Sequence, residues 1–453
     1  MSDTKSLTNI IGLSCTIALG FFAMGYSFSC FNVLTNILHP QYVEHGKDII
    51  KDKDVFNSVI WGLVPVGAIF GAILGDPLAR IGKRFAVILI ALIYTFASIL
   101  ILVFNFYTLV AARFIMGLCI GAYATICPMM ISEVAPEKLA GPLGVLPQCM
   151  WILGQLVALS LSFIVPYSES LEALTTQTWK LIFSFSGLFT AAQLILMTFW
   201  YKDQDPKPSN PSNYQFGEMI SNDFAFNFWD SKVKLEIEQS GLTPLTIGIL
   251  LSFFHQATGI GIVTFYSNEL FTNGHTGQEA EFTARVGTFG TGAIAVLSAM
   301  IAILASKHFG RRSILLAGEL WICLIYAMLY SMSIQNNHLM VKVFTVAFVF
   351  VFNCSFGPIL WPYASEILSP RGVTIVATSN MMFTSVFGSF GNLFFKYLQA
   401  SGVYMLLFLI QILWIAFVYL YMMETKGKSK EEWKRLYSSC QDSEVYTRLD
   451  LSP

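Results

Sequence analysis

The sequence predicts an all-α integral membrane protein: twelve transmembrane helices in two six-helix, pseudo-symmetric halves. Three observations predict it. The chain is 55% hydrophobic and only 12% charged, against roughly 25% charged in an average soluble domain. Apolar runs recur from residue 9 to residue 423, and a core that large lacks the charged shell that water would demand. Two short polar signatures also occur twice, in the same order, once in each part of the chain.

A helix needs about 20 apolar residues to cross a bilayer. Spans are expected near 9–31, 57–79, 85–105, 107–131, 141–165, 179–201, 243–271, 282–306, 313–334, 341–366, 371–398 and 402–423. Phe106 is the expected hairpin connection between spans 3 and 4. The longest polar stretch, 202–242, opens with DQDPKPSNPSN and continues as a partly helical SKVKLEIEQ. The expected organisation is a half over 1–201, a cytoplasmic linker over 202–242, a half over 243–423 and a tail over 424–453.

An even number of spans puts both termini on one side. With that side cytoplasmic, nineteen of the 27 lysines and arginines lie inside and seven outside, with Arg113 within a span. The bias follows the positive-inside rule. The expected address is the plasma membrane, with both termini cytoplasmic.

The repeated signatures are Gly82-Lys83-Arg84 after span 2 and Gly310-Arg311-Arg312 after span 8, 228 residues apart. Ser132-Glu133 and Ser365-Glu366 close spans 4 and 10, 233 residues apart. Equivalent residues at equivalent helix ends indicate two parallel repeats, with a site between them near the membrane midplane. Each basic pair can simply anchor its helix at the headgroups. The acids beside them allow more. Asp76, Arg80, Arg84, Glu133, Arg311, Arg312 and Glu366 can form ionic latches at the cytoplasmic face, clipping one half to the other when the site faces outward. Exposed pairs contribute only ~0–1 kcal/mol each, whereas a network can bias a two-state equilibrium.

Several function classes are excluded or given no support. A net charge of −1 offers no basic patch for nucleic acid. The eight cysteines form no spaced pairs for a zinc site or disulfide framework. No GxSxG, HExxH, GxGxxG or GxxxxGKS/T pattern occurs, so neither an enzyme nor a nucleotide-driven pump is indicated. The first apolar run lacks a cleavage-site pattern and is expected to be a retained helix. The expected partners are the lipid bilayer and a small-molecule substrate, with no cofactor, no metal and no obligate protein partner.

Six segments carry a family resemblance: GAILGDPLARIGKR (71–84), RFIMGLCIG to PMMISEVAPEKLAG (113–141), HQATGIGIVTFYS (255–267), GRR (310–312), GPILWPYASE (357–366) and ETKG (424–427). In this order they resemble the sugar porter family of the major facilitator superfamily. The resemblance implies carriage of a monosaccharide, a hexose such as glucose, by alternating access. It also implies substrate contacts from Gln148, Gln256, Trp361 and Asn380, with His255 in place of a glutamine and Asn353 in place of a glutamate. Phe265 and Tyr266 are then the implied extracellular gate. The chemistry suits a sugar, because amides donate and accept as hydroxyls do and an indole offers an apolar face. Each amide can equally be an interhelical hydrogen bond.

The chain departs from the family pattern at Gly261 and Ala295, where asparagines are usual, and at Lys307, where an acid is usual. Proton-linked members carry an aspartate after the Gly-Tyr of span 1. Here Ser27 follows Gly25-Tyr26, which implies facilitated diffusion. Glu319 in span 9 and His255 in span 7 keep open the alternative of a proton-coupled carrier of a sugar, polyol or organic acid. Arg113 is expected to be structural and gating rather than a substrate ligand, paired with a carbonyl or carboxylate of its own half.

Overall fold

The computed structural model describes residues 2–34, 37–44, 53–136, 139–168, 170, 172–199, 243–261, 263, 271, 277–368 and 370–426. The 202–242 linker, the tail beyond 426, Phe265 and Tyr266 lie outside them.

Six helices form the first half: α1 (Ser2–Leu34), α2 (Lys53–Ile81), α3 (Lys83–Leu100), α4 (Phe106–Val134), α5 (Ala140–Ser160) and α6 (Thr178–Phe199). The second half runs α7 (Pro244–Ala257), α8 (Gly277–His308), α9 (Arg311–Ile334), α10a (His338–Cys354), α10b (Phe356–Ile367), then α11 over 370–397 and α12 (Leu398–Tyr421). Among the described residues, ten helices are long and apolar enough to cross a bilayer. The other two spans of the twelve-helix fold are α7, which stops short at a turn, and α11, which runs into α12 across the non-helical Gln399 (φ 58°).

Three expected boundaries are corrected. Span 7 does not run through as one helix: α7 ends at Ala257, and Gly259 takes φ 86°, a conformation a residue with Cβ rarely adopts. Span 10 breaks at Ser355 (φ −121°, ψ −84°), where α10b begins. Spans 3 and 4 are joined by Ile101–Asn105 rather than by Phe106, because the Asn105 side chain accepts from Tyr107 N and starts α4 there.

Glycines set how closely helices approach. Gly67, Gly71 and Gly75 fall every fourth residue on one face of α2, and Gly117 and Gly121 do the same on α4. A Cβ on Gly71 would lie 1.9 Å from Leu118 O, and one on Gly121 2.0 Å from Ala68 O. The backbones are therefore in contact, the small-xxx-small packing expected where lipid offers no hydrophobic drive for association. Similarly Gly25 of α1 meets Trp151 O of α5, and Gly154 of α5 meets Phe22 O of α1. The halves touch along two seams, α5 with α8 and α2 with the continuous helix over 370–421. At one end of the first seam α5 also packs on α10b, where a Cβ on Gly144 would lie 2.8 Å from Pro362.

Candidate substrate cavity

Between the halves lies a partly enclosed cavity of about 70 Å³. All six residues implied as substrate contacts line it: Gln148 from α5, His255 and Gln256 from α7, Asn353 and Trp361 from α10, and Asn380 from α11. The α7 turn and the α10 break bring this about. Each interrupts a helix at the depth where its polar residues face the opposite half, and irregular backbone in a membrane is tolerated where it lines a cavity. Trp361 stands edge-on to Phe21 of α1 at 5.5 Å, one aromatic contact across the halves.

The polar groups are tied together on the α7–α11 side. Gln256 Nε2 lies 3.2 Å from His255 Nδ1 and 3.4 Å from Asn380 Oδ1. His255 is held edge-on by Phe352 and Phe356, with ring centroids at 5.3 and 5.1 Å. Asn353 Nδ2 donates to Val349 O at 2.8 Å, so one amide hydrogen is spent on its own helix. Gly261 and Ala295 also line the cavity, leaving bare wall where the family carries amides.

Gln155, Thr291 and Thr384 are cavity residues that the sequence reading missed. Two of them carried a signal. Gln155 follows Gln148 by seven residues and Thr384 follows Asn380 by four, spacings that return to one helix face.

The latch residues are brought to helix ends, but the pairing differs from the expected clip between halves. Among the described residues, every ion pair formed by the expected latch residues lies inside one half. Asp76 pairs with Arg80 at 2.5 Å on α2, and Glu133 pairs with Lys83 rather than an arginine. Arg84 donates to the carbonyls of Met197 and Thr198, at 2.9 and 3.0 Å, at the end of α6. In the second half Arg311 pairs with Glu366 at 2.6 Å. Arg312 donates to Tyr419 O at 2.7 Å on α12, and the backbone N–H groups of Arg311 and Arg312 both donate to Glu424. The reason is geometric: helix C-termini carry unpaired carbonyls and partial negative charge, and the basic pair after each Gly turn reaches the neighbouring end within its own half.

Arg113 is 1% exposed and pairs with a carbonyl of its own half, donating to Ser27 O at 3.1 Å. The rings of Phe31 and Phe183 lie 5.9 and 5.4 Å from its guanidinium carbon. The Ser27 hydroxyl is engaged with Tyr94, which also donates to Ser186. Glu319 lies on α9. It is fully buried, and neither carboxyl oxygen has a hydrogen-bond partner among the described residues.

A family model for sugar (and other) transporters matches residues 13–202 and 211–437. The chain belongs to this sugar transporter family. It is 25% identical to the glucose transporter GlcP of Staphylococcus epidermidis, over 95% of this chain and 97% of that one. It is equally 25% identical to the arabinose-proton symporter of Bacillus subtilis, over 96% and 97%. The solved structure of the proton:xylose symporter XylE bound to 6-bromo-6-deoxy-D-glucose superposes with a TM-score of 0.77 at 20% identity, covering 95% of this chain and 99% of that one. The fold is that of the major facilitator superfamily. A sugar transporter of this superfamily is an integral membrane carrier, and its neutral, amide-rich cavity lies where the two halves meet.

Proposed function

We propose that the chain carries a monosaccharide, a hexose such as glucose, down its gradient by alternating access at the plasma membrane, with both termini cytoplasmic. One observation carries this reading: among the described residues no Asp, Glu, Lys or Arg lines the central cavity, whereas three glutamines, two asparagines, two threonines, a histidine and Trp361 do. Such a lining matches a neutral ligand rich in hydroxyls. Gln148, His255, Gln256, Asn353, Trp361 and Asn380 make the substrate contacts. The ionic groups at Asp76, Arg80, Arg84, Glu133, Arg311, Arg312 and Glu366 brace each half as a rigid body, so that rocking takes place at the seams. Uniport is supported by α1, where Ser27 offers no ionisable group beside Arg113.

The test is uptake by proteoliposomes. Labelled glucose should equilibrate without a pH gradient, and strict dependence on an inward proton gradient would overturn uniport. Glu319 favours a second reading, proton-coupled carriage of a sugar, polyol or organic acid, because an intramembrane carboxyl is a functional candidate by default. On that reading Glu319→Gln abolishes accumulation while sparing exchange.

A further inference from the structure

The buried, unpaired polar atoms of the cavity share one polarity. Gln256 Nε2 donates toward both His255 Nδ1 and Asn380 Oδ1, at 3.2 and 3.4 Å. An Nδ1 that accepts assigns the imidazole proton to Nε2. His255 Nε2 and Asn380 Nδ2 are both buried without a hydrogen-bond partner among the described residues, and both residues line the cavity. His255 is 8% exposed and Asn380 3%. The three side chains therefore form a poled chain that ends in a donor on each side.

A second feature has the same sign. α10b begins one residue past the Ser355 break, with no side chain capping its first turn. That turn borders the cavity: a Cβ on Gly357 would lie 3.3 Å from Gln148 Nε2 and 3.4 Å from Asn353 Oδ1. The N-terminus of a half-helix in a transporter core carries partial positive charge and favours anionic substrate groups. Among the described residues no carboxylate lines the cavity to cancel it.

A hydroxyl both donates and accepts, so an array of donors gives it no special advantage. A carboxylate only accepts, and its hydrogen bonds are charge-assisted. We propose that this cavity also accepts a monosaccharide bearing a carboxylate, a hexuronate, whose carboxylate oxygens take the His255 Nε2–H and an Asn380 Nδ2–H while its hydroxyls meet Gln148 and Gln155. The inference rests on the monosaccharide reading of the same cavity and names a further substrate class for it.

The test uses the full chain in proteoliposomes, with exchange of labelled glucose inhibited by glucuronate, its methyl ester or glucosamine. Glucuronate should half-inhibit at about one-tenth the concentration of the ester, the advantage of charge-assisted over neutral hydrogen bonds. His255→Gln should shrink that ratio toward one. Equal potency of acid and ester overturns the proposal. So does a preference for glucosamine, which would mean that the amide chain runs the other way and ends in acceptors. If glucose is not exchanged at all, the hexose reading fails. The inference is then decided by ligand-induced thermal stabilisation of the purified protein, where glucuronate should stabilise at lower concentration than the ester and equality again overturns it.

Discussion

Arg285 of α8 donates to Val165 O at the end of α5, 2.6 Å away and across the boundary between the two halves. The same guanidinium takes Ser162 O at 2.9 Å, Pro166 O at 3.0 Å and the Glu281 carboxylate at 2.6 Å, and stacks over Tyr167 at 4.7 Å. Glu281 in turn accepts from the backbone and hydroxyl of Ser168, both at 3.0 Å. A cation on the exposed carbonyls of a helix C-terminus satisfies orphan acceptors and the helix dipole together.

This cluster ties the halves at the end of the α5–α8 seam opposite the Gly144–Pro362 contact. Any motion that parts α5 from α8 there must break it. Arg285→Ala should therefore shift the population toward the state open at that end by roughly tenfold, since hydrogen bonds to a charged group contribute ~1.5–3 kcal/mol. Spin-label distances between that end of α5 and the start of α8 would read the shift. An unchanged distance distribution in the variant would remove the latch from the mechanism.

The α2–α4 seam predicts a sharp contrast between neighbouring glycines. Gly71→Ala places a methyl group on Leu118 O, whereas Gly62→Ala meets nothing within 4 Å. Overpacking costs typically ~1–3 kcal/mol, so Gly71→Ala should lower the thermal midpoint of the detergent-solubilised protein and Gly62→Ala should leave it in place or raise it. Similar midpoints for the two would show that α2 and α4 can move apart at little cost.

The contrast between what the sequence revealed and what it hid has a physical basis. The spans were legible because lipid demands long apolar helices, and the two halves because Gly82-Lys83-Arg84 and Gly310-Arg311-Arg312 sit at equivalent helix ends. The cavity residues were legible through the family pattern at Gln148, Gln256, Trp361 and Asn380. The partners of charged groups were not. Arg84 and Arg312 bind carbonyls on α6 and α12, and every helix end carries carbonyls whatever its sequence, so residue identity gives no hint of them. Arg285 was hidden for the same reason: by sequence it counts only as an outside cation. The break at Ser355 was hidden too, since the α10 stretch reads as one apolar run.

Glu424 offers a test of such remote capping. It lies just past α12, yet its carboxylate accepts from the first backbone N–H groups of α9, at 2.7 Å from Arg311 N and 3.1 Å from Arg312 N. Glu424→Gln keeps an acceptor but loses the charge at a helix N-terminus, a loss of ~0.3–1 kcal/mol, while Glu424→Ala should cost ~1–2 kcal/mol by removing the cap. Thermal midpoints in the order wild type, Gln, Ala would bear this out. A Gln variant as unstable as Ala would show that charge, not hydrogen bonding, is what Glu424 supplies.

Glu319 separates structural from coupling roles. It is fully buried on α9 next to the Trp414 indole, and its oxygens, the Trp414 N–H and the amide of Gln411, one turn before Trp414 on α12, have no hydrogen-bond partner among the described residues. Next to it on α9, a Cβ on Gly318 would lie 2.1 Å from Ser355 Oγ, so this polar patch backs directly onto the α10 break. Unsatisfied buried polar groups cost ~1–3 kcal/mol each, and replacing them by apolar groups of similar shape is neutral or stabilising. Glu319→Met should therefore raise the thermal midpoint. If transport is uniport, Glu319→Gln should still equilibrate labelled glucose at no less than about half the wild-type rate, because a factor of two is under ~0.5 kcal/mol of barrier. Wild-type accumulation against a glucose gradient, driven by protons and lost in Glu319→Gln with exchange preserved, would make this carboxyl the coupling site and end the uniport reading.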